Sequence, residues 1–396
     1  MKNLSFLLVA ILLTTVPASV FGATVYTLGS GSWGDANNWL VDPNVNRLPD
    51  SKDWTYIQSL GHTIDAVPGA EAGHLIVGRW RDGGVGTLNV DAGDTIVVSG
   101  RSSQALGIGY TVGPNTAGVL NMTGGSVDCK GYVVIGHRYN DSGIARGTLN
   151  MSGGHLDIHH GRFHMGWDGG ICEINHSGGT IELSDASTFF YMGFAYDSGY
   201  SEGPTGNTKY TISGDASLIV NGSYNYIHYF AKYTQSAHHE FRIVGPDVTV
   251  EFQSRLTINS GYSPTTPLPL TGGCTLGFDI DPNIAPITMV TGWMNIRQGT
   301  IFDFNGGHNG ESYLIAQAID TFKPEDNIIF CNIPDMVVTE PSTYELRLSA
   351  DKRQLWVDVI NPVCNIDSNA DLDGDCDVDL QDAILMFNNW LAVSLE

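Results

Sequence analysis

Gly86-Thr87-Leu88-Asn89-Val90, Gly118-Val119-Leu120-Asn121-Met122, Gly147-Thr148-Leu149-Asn150-Met151 and Cys172-Glu173-Ile174-Asn175-His176 are four copies of one phrase. Each copy runs into a small-residue corner, at Ala92-Gly93, Gly124-Gly125, Gly153-Gly154 and Gly178-Gly179, and a weaker fifth copy begins at Tyr210. A second phrase interleaves with the first: an apolar residue, then glycine, then a large side chain. It reads Val77-Gly78-Arg79, Ile108-Gly109-Tyr110, Ile135-Gly136-His137, Met165-Gly166-Trp167 and Met192-Gly193-Phe194. Its glycines, at 78, 109, 136, 166 and 193, are 31, 27, 30 and 27 residues apart. Self-similarity at such a period marks stacked repeats, each burying its apolar side only against its neighbours.

The chemistry of the repeat assigns its geometry. Apolar and polar residues alternate in short bursts, which is strand period, and no segment within the repeats carries a helical stripe. Glycine pairs recur where the chain must turn at positive φ, without a Cβ penalty. A coil of such strands and corners fits one turn of a parallel β-helix, with coils stacked at ~4.8 Å. The expected fold is therefore all-β: a right-handed parallel β-helix with β caps and a short C-terminal calcium loop and helix. An antiparallel sandwich with regular turns is the alternative.

Residues 1–22 read as a secretory signal, with Lys2 ahead of the apolar run Leu4 to Val16 and small residues near Gly22. No other run approaches a membrane span. The expectation is an exported chain, secreted or at the cell surface, with no transmembrane segment once mature. A cap then covers 23–75, β-helix repeats 76–240, irregular coils and a C-terminal β cap 241–360, and a linker with a calcium motif 361–396.

A formal charge of −23 with 48 glycines describes an acidic, turn-rich protein. Nucleic acid is excluded as a partner, because phosphate binding needs concentrated Lys and Arg. Calcium and neutral polymers such as glycans fit better. Six cysteines in an exported chain permit disulfides, although Cys129 and Cys172 fall in different coils and read equally well as buried thiols.

Three columns follow from stacking the copies. Asn89, Asn121, Asn150 and Asn175 would form an amide ladder, a structural device. Asp128, Asp157 and Glu182 would stack like charges at strand spacing, either solvated or bridged by a cation. Arg79, Tyr110, His137, Trp167 and Phe194 form the third column, with Trp80, Tyr139 and Tyr196 close by. Facing outward they would be a strip of rings for stacking on sugars; facing inward, a core ladder. His155, Asp157 and His159 share one side of a strand, which is compatible with a metal site. The stretch from Ala195 to Tyr210 reads as a loop inserted on one face, and Trp33 and Trp39 as core of the cap.

The end of the chain has a different character. Asp371, Asp373, Asp375, Asp379 and Asp382 occupy positions 1, 3, 5, 9 and 12 of a twelve-residue loop, with the Asp377 carbonyl at position 7. That is the ligand spacing of an EF-hand, suited to calcium. A helix follows, with Ala383, Ile384, Phe387, Trp390 and Leu391 on one face.

Three resemblances attach to these residues. The coils and their asparagine column resemble pectin-lyase-like β-helices. Ser32-Trp33, Asn38-Trp39 and Pro49 resemble the opening of autotransporter-passenger-like proteins. The loop and helix over about 366–391 resemble one half of a type I dockerin, departing from it in having Cys376 at position 6 and a single loop. Cys364 and Cys376 are then the candidate disulfide, stapling the motif in place of the second half. The dockerin resemblance implies calcium, a cohesin-like domain or cell-surface scaffold as partner, and a setting concerned with polysaccharide. The functional expectation is a non-catalytic glycan-binding or adhesive module attached through that tail. The alternatives are a polysaccharide lyase or glycoside hydrolase of the pectin-lyase-like class, and a structural spacer or surface-layer component. No Asn-Thr-Asp, paired Asp-Asp or Gly-His-Gly set of the hydrolases is present, while Arg138, Arg146 and Arg162 lie within reach of the acid column.

Overall fold

The structure is a computed structural model that describes residues 22–41, 45–79, 84–101, 104–111, 115–138, 143–193, 206–227, 238–259, 273–280, 283–320, 326–360 and 383–386. The chain is nearly all β, with long parallel sheets in the manner of a β-helix. Three stacks of strands are visited in turn, so that each coil contributes one rung to each.

The first face runs from Thr24–Thr27 through Leu106–Thr111, Val133–Arg138 and Arg162–Trp167 to Ile329–Cys331. Its rungs align Val77 with Ile108, Ile108 with Ile135, Ile135 with Met165 and Met165 with Met192. Those offsets are the 31, 27, 30 and 27 of the glycine phrase. The second and third faces are carried by single bent strands, Thr116–Cys129, Ala145–Ile158 and Ile171–Leu183. Each bends at its glycine pair, where the register between coils is interrupted.

Alternation then separates core from surface. On the second face Leu88, Leu120, Leu149, Ile174, Tyr210, Phe241, Leu276 and Phe302 form one inward column, each at most 1% exposed. Burying each such side chain contributes about 1.5–3 kcal/mol. The column crosses residue 240 without a break. The coils therefore continue in the same geometry beyond the end of the written repeat, because the inward positions stay apolar after the asparagines and glycine pairs are lost.

The glycines of the two phrases exist because backbones meet there. A Cβ on Gly109 (φ +66°) would lie 2.0 Å from the Arg146 carbonyl oxygen, and one on Gly147 would lie 2.3 Å from that of Ile108. No side chain fits this corner.

Each end carries an antiparallel cap on part of its rim. Trp39–Val41 pairs antiparallel with Thr24–Thr27, covering the first rung. Beneath it Trp33 and Trp39 are buried, and the Trp39 indole donates to the Trp33 carbonyl at 3.0 Å. At the other end Tyr344–Leu348 and Gln354–Val359 pair antiparallel with each other, and the latter with Ser312–Ala318. Both devices hide strand edges that would template further pairing. The cap expected over 23–75 is thus built into the first coils rather than lying outside them.

Residues 383–386 form a helical turn, where the sequence predicts a helix. The calcium loop Asp371–Asp382, Cys364, Cys376, the signal segment 1–21 and most of the expected loop at 195–210 lie outside the described residues. Among the described residues no helix is long and apolar enough to cross a membrane.

Candidate functional site

Among the described residues, stacking places the asparagine and acid columns, and Tyr110, His137 and Trp167 of the ring column, in register, with three different outcomes. The asparagines face outward on the second face. Asn121 Nδ2 donates to Asn89 Oδ1 at 2.9 Å, Asn150 to Asn121 at 2.9 Å and Asn175 to Asn150 at 3.0 Å. Asn89 donates in turn to the Asp65 carboxylate at 2.7 Å. Register continues the column through Thr211, Arg242, Gly277 and Asp303.

Beside this ladder, where the second face bends into the third, lies a groove of about 430 Å³. Its walls are the four asparagines with Asp91, Thr123, Ser152 and Ser177. Thr123 donates its hydroxyl to Asp91 at 2.5 Å, bracing the wall between coils. Each side-chain amide has two N–H donors and two acceptor lone pairs. The ladder uses one of each at Asn121 and Asn150. One donor and one acceptor are left at each of Asn89, Asn121 and Asn150, while Asn175 donates to both Asn150 and Glu173 and keeps its acceptor oxygen, a pattern that hydroxyl-bearing ligands can complete.

The acid column is on the outer side of the third face, and it is neither solvated alone nor left to an external cation. The alternating position two residues on carries Lys130, His159 and Ser184. Lys130 Nζ lies 2.7 Å from Asp128, and His159 Nε2 lies 2.9 Å from Asp128 and 3.1 Å from Asp157. Ser184 donates to Asp157 at 2.7 Å, with its oxygen 3.3 Å from His159 Nδ1. His155 shares the outer side of the strand with Asp157 and His159, as expected, but turns to Glu182 at 3.5 Å and does not join their pair. Among the described residues no group of such side chains is arranged to hold a metal ion. Of this interleaved column the sequence pointed only to His159, beside Asp157, although strand period (acid at i, base or hydroxyl at i+2) marks Lys130 and Ser184 as well.

The aromatic column is neither the open outward strip nor the inward core ladder that the sequence left as alternatives. Tyr110, His137 and Trp167 do stack coil on coil, His137 on Trp167 at 4.2 Å and 8°. The Arg79 guanidinium lies 4.4 Å from the Tyr56 ring centre and 5.4 Å from that of Tyr110. Ile76, between core residues Leu75 and Val77, points away from the main core and packs with Tyr56 and Tyr110 in a separate cluster. The column therefore sits on the outside of the first face, not in the core. It is nevertheless shielded: Tyr110 is 4% and His137 3% exposed. Burial holds the His137 imidazole below its ordinary range, with Asp168 opposing. An open strip of sugar-stacking rings is not what these residues make, since His137 lies flat on Trp167, Tyr110 meets His137 edge-on, and both Tyr110 and His137 are buried. Phe194, Trp80, Tyr139 and Tyr196 lie outside the described residues.

Cys129, Cys172 and Cys274 are buried free thiols. Burial pushes Cys129 and Cys274 up to about 12, which leaves them unreactive at neutral pH.

Set against protein-family profiles, curated proteins and solved structures, the chain matches none.

Proposed function

We propose that this chain is an exported, non-catalytic glycan-binding or adhesive module whose binding surface is the groove beside the asparagine ladder. One observation carries this reading. Outward amides repeat once per coil along an open groove, each with hydrogen-bonding capacity that the ladder does not use. Neutral, paired donors and acceptors on a rigid sheet suit saccharide hydroxyls, and the binding role thereby moves from the shielded rings to the amides.

The remaining parts of the proposal rest on sequence. The coil is right-handed, by the strong preference of parallel strand crossovers. Asp371, Asp373, Asp375, Asp377, Asp379 and Asp382 hold calcium, and the dockerin-like tail joins the solenoid to a cohesin-like domain or surface scaffold outside the cell. Calorimetry of the mature chain with calcium should give a binding event that vanishes in Asp371→Ala; no event in the parent would remove the tail from the proposal.

For the solenoid, the test is a glycan array with and without calcium. Binding that persists in Tyr110→Ala and is lost when Ser152→Trp fills the groove supports this reading. Binding unaffected by Ser152→Trp overturns it.

One observation favours a second reading, a polysaccharide lyase or glycosidase. Asp128, Asp157, His159 and Ser184 place acid, base and hydroxyl within 3.3 Å steps on an open face. Product release from a polysaccharide, abolished in Asp157→Asn, would select it.

A further inference from the structure

The groove has a sign as well as a shape. Asp91 lines its wall, Asp65 closes its start and Glu173 lies 3.5 Å from Asn175 at its far end. The basic groups of the same face are engaged or distant. Arg242, two coils beyond Asn175 in the same column, is held by Glu240 at 2.7 Å, by Asp279 at 2.6 Å and by Asp303. Lys209 leans to Glu240 at 4.0 Å. Arg146 is four residues upstream of Asn150 on its strand, ~13 Å away at strand rise. A sugar bearing a carboxylate would meet like charge here, with no guanidinium or ammonium free to pair with it.

The spacing adds a second constraint. Coils stack at ~4.8 Å, close to the advance of one pyranose in an extended chain. The unused donor and acceptor of Asn89, Asn121 and Asn150, followed by the Asn175 oxygen, therefore recur at the interval of successive sugars. A chain lying along the axis would present one residue to each asparagine, whereas a chain lying across the coils would meet a single amide before leaving the groove.

We infer that the ligand of this groove is an uncharged, extended polysaccharide, laid along the solenoid axis with one sugar per coil, and that polyuronates are refused. The inference rests on the glycan-binding reading of the same groove. It goes further in fixing the charge and direction of the ligand.

The test is affinity electrophoresis of the mature chain through gels containing xylan, mannan or mixed-linkage β-glucan, and through gels containing polygalacturonate or alginate. Each is run at low and high salt, with calcium and with chelator. Retardation by a neutral glycan is expected, insensitive to salt because no ion pair is involved. It should weaken about tenfold or more in the Asn121→Leu/Asn150→Leu variant. The variant Ser152→Trp, which blocks the groove without touching the ladder, should act alike if the double variant fails to fold. Polyuronates should give no retardation. Polyuronate retardation equal to or stronger than that by neutral glycans, lost in Ser152→Trp, would overturn the charge assignment and leave the groove a glycan site. Neutral-glycan retardation indifferent to Ser152→Trp would overturn the groove itself. Silence across the whole panel would overturn both.

Discussion

Asn89 Nδ2 donates to Asp65 Oδ1 at 2.7 Å, and this one bond fixes the direction of the whole amide column. Every amide above it donates the same way, so the dipoles add head to tail with a carboxylate at the donor end. Hydrogen bonds aligned in series polarise one another. Asp65→Ala removes one charge-assisted bond at an exposed end and should cost about 1 kcal/mol. Asn121→Leu interrupts the series at two bonds and should cost about 2 kcal/mol. Asp65 and Asn150 do not touch, so a double-mutant cycle on them by urea unfolding isolates the cooperative part. A coupling energy of zero would reduce the column to a set of independent pairs.

Gly109 tests whether the glycine phrase is a steric requirement. Its φ of +66° lies where L side chains are strained, and a Cβ there would sit 2.0 Å from the Arg146 carbonyl oxygen. Gly109→Ala should cost about 3 kcal/mol or more, since backbone at the corner has to move. Gly93→Ala is the control: it shares the positive φ of 93° but has nothing within 4 Å of its Cβ. It should cost only about 1 kcal/mol. Equal losses in the two variants, measured by chemical unfolding, would show that conformation alone selects glycine.

These two sets of residues also mark how much of the molecule the sequence disclosed. Rung spacing was legible because identical apolar residues must face one core, which copies the coil length into the text. The asparagine ladder was legible for the same reason. What lay beyond was hidden by chemistry that does not repeat. Asp65 and Arg242 extend the column with different residue types, and no repetition points to them. The coils after residue 240 keep their inward column with Phe241, Leu276 and Phe302 but drop the glycines, so they read as irregular. The ring column was aligned by its spacing, and its facing was left open between an outward strip and an inward ladder. Stacking along the axis was visible from spacing, whereas the mutual covering of Tyr110, His137 and Trp167 depends on ring tilt, which no sequence pattern records.

His176 occupies the inward column of the second face, where Met122, Met151 and Ile212 stand in neighbouring coils. Gly179 O can only accept, so Nε2 carries the proton and donates to it at 3.1 Å, while Nδ1 accepts from the Tyr210 hydroxyl at 3.1 Å. Both nitrogens are thus satisfied in the neutral ring, and burial lowers the imidazole to about 4. The unfolded chain binds the proton near 6.5, so between 6.5 and about 4 it holds more protons than the folded one. Stability from this residue is therefore complete above pH 6.5 and is lost progressively as pH falls towards 4, by about 3 kcal/mol in all. Urea unfolding at neutral and acidic pH, compared with His176→Gln, isolates it from the other buried histidines. Parallel losses in parent and variant would refute the assignment.

Arg242 and Gly277 make one device from two coils. The guanidinium lies over Gly277, where a Cβ would sit 2.8 Å from Cζ and Nε. Only from that position does it reach Glu240 on its own strand, Asp279 on the next coil and Asp303 on the one after. The side chain is 17% exposed and its partners 20–34%, so solvent screening reduces what each pair is worth. Arg242→Met leaves three carboxylates facing one another and should cost about 2 kcal/mol. Gly277→Ala should act in the same direction by lifting the guanidinium off its bed. If the two substitutions disable one arrangement, the double variant loses little more than the worse single one. Additive losses in a thermal or urea series would mean that Gly277 serves the backbone of its own strand and not the arginine.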